Sequence, residues 1–134
     1  MHIRPATADD EPGLARLLGQ LHPGEAVSFQ PGRIRQAARS LVAVEQGKAA
    51  GFALATLVDY GLSSYGMIEE LVVDEACRGR GIGTALLDEC RAWLAREGVE
   101  VVFVSAVHEA EAFYARHGFV RCTGPWLYRG PGEA

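Results

Sequence analysis

The stretch Cys77-Arg78-Gly79-Arg80-Gly81-Ile82-Gly83-Thr84 constrains the fold more than any other, because it joins the apolar run Leu71-Val72-Val73 to a helical pattern reaching Glu97. A strand, a glycine-rich turn and a helix meet there. Gly79, Gly81 and Gly83 let the backbone turn tightly and let a ligand approach the amides, because no Cβ blocks either. The first N–H groups of a helix have no intrahelical partner, and the macrodipole puts about half a positive charge beside them. Arg78 and Arg80 add permanent charge, so the pattern points to a phosphate or pyrophosphate rather than a lone carboxylate.

Spacing excludes one phosphate-binding loop and weakens the case for a second. A Walker loop needs Gly-Lys-Ser or Gly-Lys-Thr, and the lone Gly47-Lys48 is followed by Ala49. A dinucleotide fingerprint starting at Gly79 and Gly81 meets Thr84 where its third glycine belongs. Arg78-x-x-Gly81-x-Gly83, preceded by Val-Val-Asp and followed by Thr-Ala-Leu-Leu, instead resembles the acyl-CoA pyrophosphate loop of the GNAT superfamily of N-acetyltransferases. A second segment, Ala112-Phe113-Tyr114-Ala115-Arg116-His117-Gly118-Phe119, is similar to the A-x-FY-x-x-x-GF signature of the same family.

Read in order, His2-Ile3-Arg4 is a short first strand. Thr7 or Asp9 then caps a helix whose Leu14, Leu17, Leu18 and Leu21 recur at helical spacing until His22-Pro23-Gly24 ends it. A second, polar helix is expected near Arg33 to Ser40. Leu41 to Glu45, a turn at Gln46-Gly47-Lys48 and Ala50 to Val58 form a hairpin, and Met67 to Val73 the fourth strand. From Ile82, Ala85, Leu86, Cys90, Trp93 and Leu94 make one apolar helix face, and Gly98 supplies the C-cap. Val99 to Val104 is a nearly continuous apolar strand, Glu109 to His117 a short helix, and Phe119 to Cys122 and Trp126 to Arg129 close the chain as strands.

This order, β-α-α-β-β-β-α-β-α-β, is similar to the GNAT arrangement over essentially the full length. The resemblance implies an α/β (α+β) fold: a mixed, mainly antiparallel six- to seven-stranded sheet with helices on both faces, in a single domain over residues 1–134. It implies acetyl-CoA (coenzyme A) as cofactor, its pyrophosphate on Arg78, Gly79, Arg80, Gly81, Ile82, Gly83 and Thr84. Pantetheine is expected to insert where the fourth and fifth strands splay, pairing with Leu71, Val72 and Val73. A homodimer is the family expectation.

Composition narrows the class further. With 134 residues, 49% of them hydrophobic and 22% charged, the chain suits one globular domain. No apolar run approaches the ~20 residues of a membrane span, and Met1-His2-Ile3-Arg4 does not read as a signal peptide, so a cytoplasmic protein is expected. Cys77, Cys90 and Cys122 lack any Cys-x-x-Cys spacing, which argues against zinc and a disulfide framework. A net charge of −4 argues against sequence-independent nucleic-acid binding.

Moving an acetyl group from a thioester to a primary amine requires an uncharged amine, and an alkyl ammonium with pKa ~10.4 keeps its proton at neutral pH. A carboxylate helps remove it. Glu69 and Glu70 lie on the strand that would hold the cofactor, and alternation along a strand allows only one of them to face the acceptor. Ile68-Glu69-Glu70-Leu71-Val72-Val73 is similar to the strand of polyamine N-acetyltransferases whose first acidic residue is assigned as base, which points to Glu69. The alternative is that both are substrate-selecting carboxylates. The family match makes Tyr114 the acid for the leaving thiolate, and the Leu71 N–H the donor to the oxyanion. Where family members often carry an Asn contacting the cofactor, seven residues before the Tyr, this chain has Val107. Glu70, Phe29 and Tyr65 are candidate substrate-binding residues, the last two in the segments His22–Gln30 and Asp59–Tyr65. Glu25, Asp59, Glu69 and Glu70 make these surroundings acidic, which suits a cationic amine. The competing function is an acyl-CoA-binding sensor without turnover.

Overall fold

The computed structural model describes residues 1–132, which divide into two compact units, one of residues 1–104 and one that begins at Ser105. The first unit holds helix α1 (Glu11–Leu21), strands β1 (Arg35–Glu45), β2 (Lys48–Asp59) and β3 (Ser64–Val73), helix α2 (Ile82–Arg96) and strand β4 (Val102–Val104). The sheet runs β1-β2-β3-β4, antiparallel between the first three strands and parallel between β3 and β4. β1 and β2 meet at a two-residue turn where Gln46 (φ 50°) and Gly47 (φ 76°) are both left-handed. Positive φ at both positions makes a hairpin turn that follows the natural twist of the strands.

Three sequence expectations give way here. The polar helix near Arg33 to Ser40 is a strand: Pro31–Arg33 makes one 3-10 turn, and from Arg35 the chain pairs with β2, Arg35 opposite Asp59 and Ser40 opposite Leu54. The segment offers no Ser, Thr, Asp or Asn cap, and the free edge of a 12-residue β2 overrides its helical composition. His2-Ile3-Arg4 is not a strand, and neither are Phe119 to Cys122 and Trp126 to Arg129. The described sheet therefore has four strands rather than six to seven. Val120, Leu127 and Tyr128 are more than four-fifths exposed, so these apolar residues build no packed face.

Arg4 serves a different purpose. Its guanidinium donates to both carboxylate oxygens of Asp10 at 2.8 and 2.9 Å, and the Thr7 N–H donates to the same carboxylate at 2.8 Å. The Arg4 hydrogen bond, then the Thr7 amide, hold the Asp10 carboxyl well below the ordinary range. A depressed carboxyl lends stability that is complete above the unfolded value of ~3.9 and is lost as pH falls toward the folded value. The melting-temperature difference between the native chain and Asp10→Asn should stay constant near neutrality and shrink in acid. A difference that grows on acidification would contradict this ion pair.

One face of the sheet is sealed by α2, which buries Ile82, Leu86, Leu87, Cys90, Trp93 and Leu94. Ala85, expected on that face, is exposed, and Leu87 takes its share. The facing sheet residues include the small Ala53 and Ala55 beside Leu57 and Ile68, so helix and sheet approach closely at the alanines. At Gly66 the approach is closest: a Cβ there would lie 2.7 Å from both terminal carbons of the wholly buried Leu94. Gly98 (φ 80°) ends the helix, and the Val99 N–H donates back to the Leu94 carbonyl at 2.9 Å.

In the second unit a 3-10 turn, His108–Ala110, leads into helix α3 (Glu111–Arg116), which Gly118 (φ 88°) terminates. Arg121 reaches back to Glu111, one contact at 3.0 Å, and its hydrogen bond holds that carboxyl below the usual range.

Gly66→Ala should destabilise the fold by about 1–3 kcal/mol, because the added methyl overpacks the α2–β3 contact. Chemical denaturation reads this as a lower midpoint with an unchanged slope. An unchanged midpoint would contradict the tight packing against Leu94.

Candidate active site

The β3–β4 ladder is only three residues long, Gly66 to Ile68 opposite Val102 to Val104. Beyond it, Leu71, Val72 and Val73 pair with β2 on one side, opposite Ala53, Phe52 and Gly51, and have no strand partner on the β4 side among the described residues. An edge of backbone N–H and C=O groups is thereby left available to an extended ligand. Val72 is 53% exposed, while Leu71 and Val73 are half-buried.

The ladder between β2 and β3 slips where this edge begins. Leu54 pairs with Glu70 but Ala55 with Ile68, so Glu69 is an extra residue, a β-bulge. A bulge resets the alternation of side chains. Ile68, opposite the buried Ala55, belongs to the α2 side. Glu70 lies opposite Leu54, on the other side. The Thr56 hydroxyl donates to the Glu69 carboxylate at 2.9 Å, which puts Glu69 on that same uncovered side. The expectation that only one of the two glutamates can face the acceptor is therefore corrected: both are exposed on the face away from α2. Tyr65, opposite Val58, shares this face and meets Phe103 of β4 edge-on with ring centroids 6.0 Å apart. Phe29 lies half-buried in the irregular segment between α1 and β1.

After Val73 the chain makes a 3-10 turn, Glu75–Cys77, in which the Asp74 carboxylate accepts from the Ala76 N–H at 3.0 Å. The glycine loop follows. Gly79 (φ 82°) and Gly81 (φ 81°) are both left-handed, and a Cβ on either would meet nothing within 4 Å. Backbone conformation rather than crowding requires glycine there. Gly81 is the N-cap of α2, so no side chain competes for the amides of Ile82 and Gly83 in its first turn. These donors, beside a 15-residue helix dipole, suit the phosphates of a coenzyme A ester. Arg78 Nε donates to the Val73 carbonyl at 3.4 Å, tying the loop to the end of β3. Arg80 pairs with Glu45 at 3.3 Å and leaves its guanidinium more than half exposed.

The sequence-derived residues thus fall into two groups. Glu69, Glu70, Leu71, Val72, Val73 and the run Arg78 to Thr84 are consecutive parts of one β3-loop-α2 unit within Met1–Val104. Tyr114 belongs to the second unit, where it is 8% exposed and packs edge-on against Phe113 and Phe119, with centroids at 5.1 and 5.5 Å. Thr56 and the bulge were not foreseen. Their signal, a hydroxyl on a strand paired one register step out of phase, exists only once β2 and β3 are aligned.

The sequence profile of the Acetyltransferase (GNAT) family matches residues 9–119. The chain belongs to the GNAT acetyltransferase family. It is an acyl-CoA-dependent N-acetyltransferase. The chain is 33% identical over 132 residues to glucosamine 6-phosphate N-acetyltransferase 1 of Oryza sativa subsp. japonica, covering 88% of this chain and 80% of that one. Among solved structures, an aminoglycoside acetyltransferase from an uncultured soil metagenomic sample is 28% identical with a TM-score of 0.58, covering 68% of this chain and 64% of that one. The ribosomal-protein-alanine N-acetyltransferase of Brucella melitensis is 18% identical with a TM-score of 0.60, covering 97% of this chain and 100% of the other, and shows the shared fold. No helix among the described residues of this GNAT chain is long and apolar enough to cross a membrane.

Gly81→Ala should lose about 1–2 kcal/mol of stability through its left-handed backbone. It should also weaken acetyl-CoA binding several-fold by moving the first-turn amides of α2. Isothermal calorimetry checks the second effect, and an unchanged Kd would contradict the assignment of this turn.

Proposed function

We propose that the chain acetylates a primary amine by direct attack on acetyl-CoA, as a single N-acetyltransferase domain, with Glu69 as base and Tyr114 as acid. The observation that carries this reading is the Glu69 carboxylate, exposed at the bulge where the free edge of β3 begins. Acetyl-CoA supplies the thioester carbon that the amine attacks.

Each remaining task falls to the chain's own groups. A carboxylate at Glu69 removes a proton from the ammonium group and so frees the nitrogen lone pair. The N–H of Leu71 donates to the thioester oxygen as negative charge gathers there. The C–N bond forms, the C–S bond breaks, and the Tyr114 phenol gives its proton to the departing sulfur. The phenolate takes the second proton from the acylated nitrogen to leave the neutral amide. The first-turn amides of α2, with Arg78 and Arg80, bind the pyrophosphate and anchor the ligand so that its acyl end reaches Glu69. The family profile spans residues 9–119, which include both Glu69 and Tyr114, and this supports reading them as parts of one enzyme.

The paired exposure of Glu69 and Glu70 favours a cationic acceptor, with Phe29 and Tyr65 as apolar contacts. Amino sugars head the candidate acceptors, because the glucosamine 6-phosphate enzyme and the aminoglycoside enzyme both carry such an acceptor in their names. A homodimer and a cytoplasmic location complete the proposal.

Thiol release from acetyl-CoA across a panel of amino sugars, polyamines and amino acids tests the reading. Glu69→Gln should lower kcat by about 10²- to 10⁴-fold at neutral pH, the usual worth of a positioned base. Tyr114→Phe should retain acetyl-CoA affinity and lose most of kcat. Full turnover in either variant would refute the role assigned to that residue.

A further inference from the structure

We infer that Thr56 is a positioning residue for acetyl transfer, holding the Glu69 carboxylate at its Oε2 atom so that Oε1 is presented to the amine. The inference rests on Glu69 being the base. An ionised carboxylate is an acceptor only, so the Thr56 Oγ1–Oε2 contact of 2.9 Å is a donation from the hydroxyl. Hydrogen bonds to a charged acceptor are among the stronger ones, and they fix direction as well as energy.

The need for such a hold follows from the bulge. As the inserted residue, Glu69 has no counterpart on β2, and its side chain is exposed on the uncovered face. A glutamate in that setting has three free torsions and no neighbour to restrict them. Thr56 supplies the restriction. Its backbone pairs with Met67, two residues from the bulge, and its β-branched side chain has few rotamers, so its hydroxyl points in a set direction. One carboxylate oxygen is thereby occupied, while Oε1 has no partner among the described residues. Proton removal requires a base whose free oxygen sits within hydrogen-bond reach of the amine, and a fixed Oε2 limits the positions Oε1 can take. Neither Glu70 nor Asp74 and Glu75, just ahead of the glycine loop, receives such a contact from the sheet among the described residues.

The proton balance is simple. One ammonium proton goes to Oε1, the Thr56 hydroxyl keeps its own proton throughout, and the remaining proton transfers are those of the proposed acetyl transfer from acetyl-CoA.

Steady-state kinetics on Thr56→Val, Thr56→Ser, Glu69→Ala and the double variant Thr56→Val/Glu69→Ala test this, with folding of each verified by its melting temperature. Thr56→Val keeps the branched shape and removes the donor, and kcat should fall roughly tenfold or more, the scale of one hydrogen bond to a charged group, with KM for acetyl-CoA unchanged. Thr56→Ser restores the hydroxyl and should recover most of kcat. In the Glu69→Ala background Thr56→Val should make no further difference. Wild-type kcat in Thr56→Val beside an impaired Glu69→Ala would overturn the inference and leave the base intact. A Thr56→Ser variant as impaired as Thr56→Val, or a further loss in the double variant, would also overturn it. Wild-type turnover in Glu69→Ala would overturn the base assignment, and this inference with it.

Discussion

The brevity of the parallel contact between β3 and β4 governs the rest of this molecule. Three residue pairs hold the two strands together, and past Ile68 and Val104 they share no further ladder. Buried backbone groups almost always find partners, so an exposed strand edge inside a sheet is an invitation to a ligand's own amides. On its other side β3 is secured by β2 from Ser64 to Val73 except at the bulged Glu69, and from below by α2, which Gly66 admits close against it. The free edge can therefore stay open without loosening the strand that carries it.

The same strand carries the proposed base. Insertion of Glu69 into β3 turns two successive glutamates to the uncovered face, and the loop that follows Val73 brings the first-turn amides of α2 to the end of the same edge. The proposed phosphate-binding amides, a pairing edge and a carboxylate thus come from one continuous stretch, Glu69 to Thr84. Their separation is set by covalent geometry and one helix cap rather than by distant packing. The left-handed backbone at Gly79 and Gly81 is the local condition for that arrangement.

Much of this was legible in the sequence because it is local. Glycines at 79, 81 and 83, the apolar face of α2 and the hairpin at Gln46-Gly47 each depend on neighbours in the chain. The first half of β1 was not legible: Arg35 to Ser40 has a helix-compatible composition and becomes a strand only because β2 offers a partner. The bulge was hidden for the same reason. Strict alternation along Ile68-Glu69-Glu70-Leu71 predicts one outward glutamate, and only the slip of register against Leu54 and Ala55 yields two. Trp126, Leu127 and Tyr128 read as a closing strand by apolarity, yet they are exposed and belong to none of the described strands. The pairing of Thr56 with Glu69 joins residues on different strands through that same shifted register, and no spacing rule along the chain encodes it.

Hydrogen–deuterium exchange of the backbone amides, with and without acetyl-CoA, tests the central claim that the free edge of β3 and the turn before α2 form one cofactor site. Exchange should slow at Leu71 to Val73 and at Gly79 to Thr84 together, while the hairpin between β1 and β2 keeps its rate. Protection confined to other segments, or none at saturating acetyl-CoA, would contradict the account.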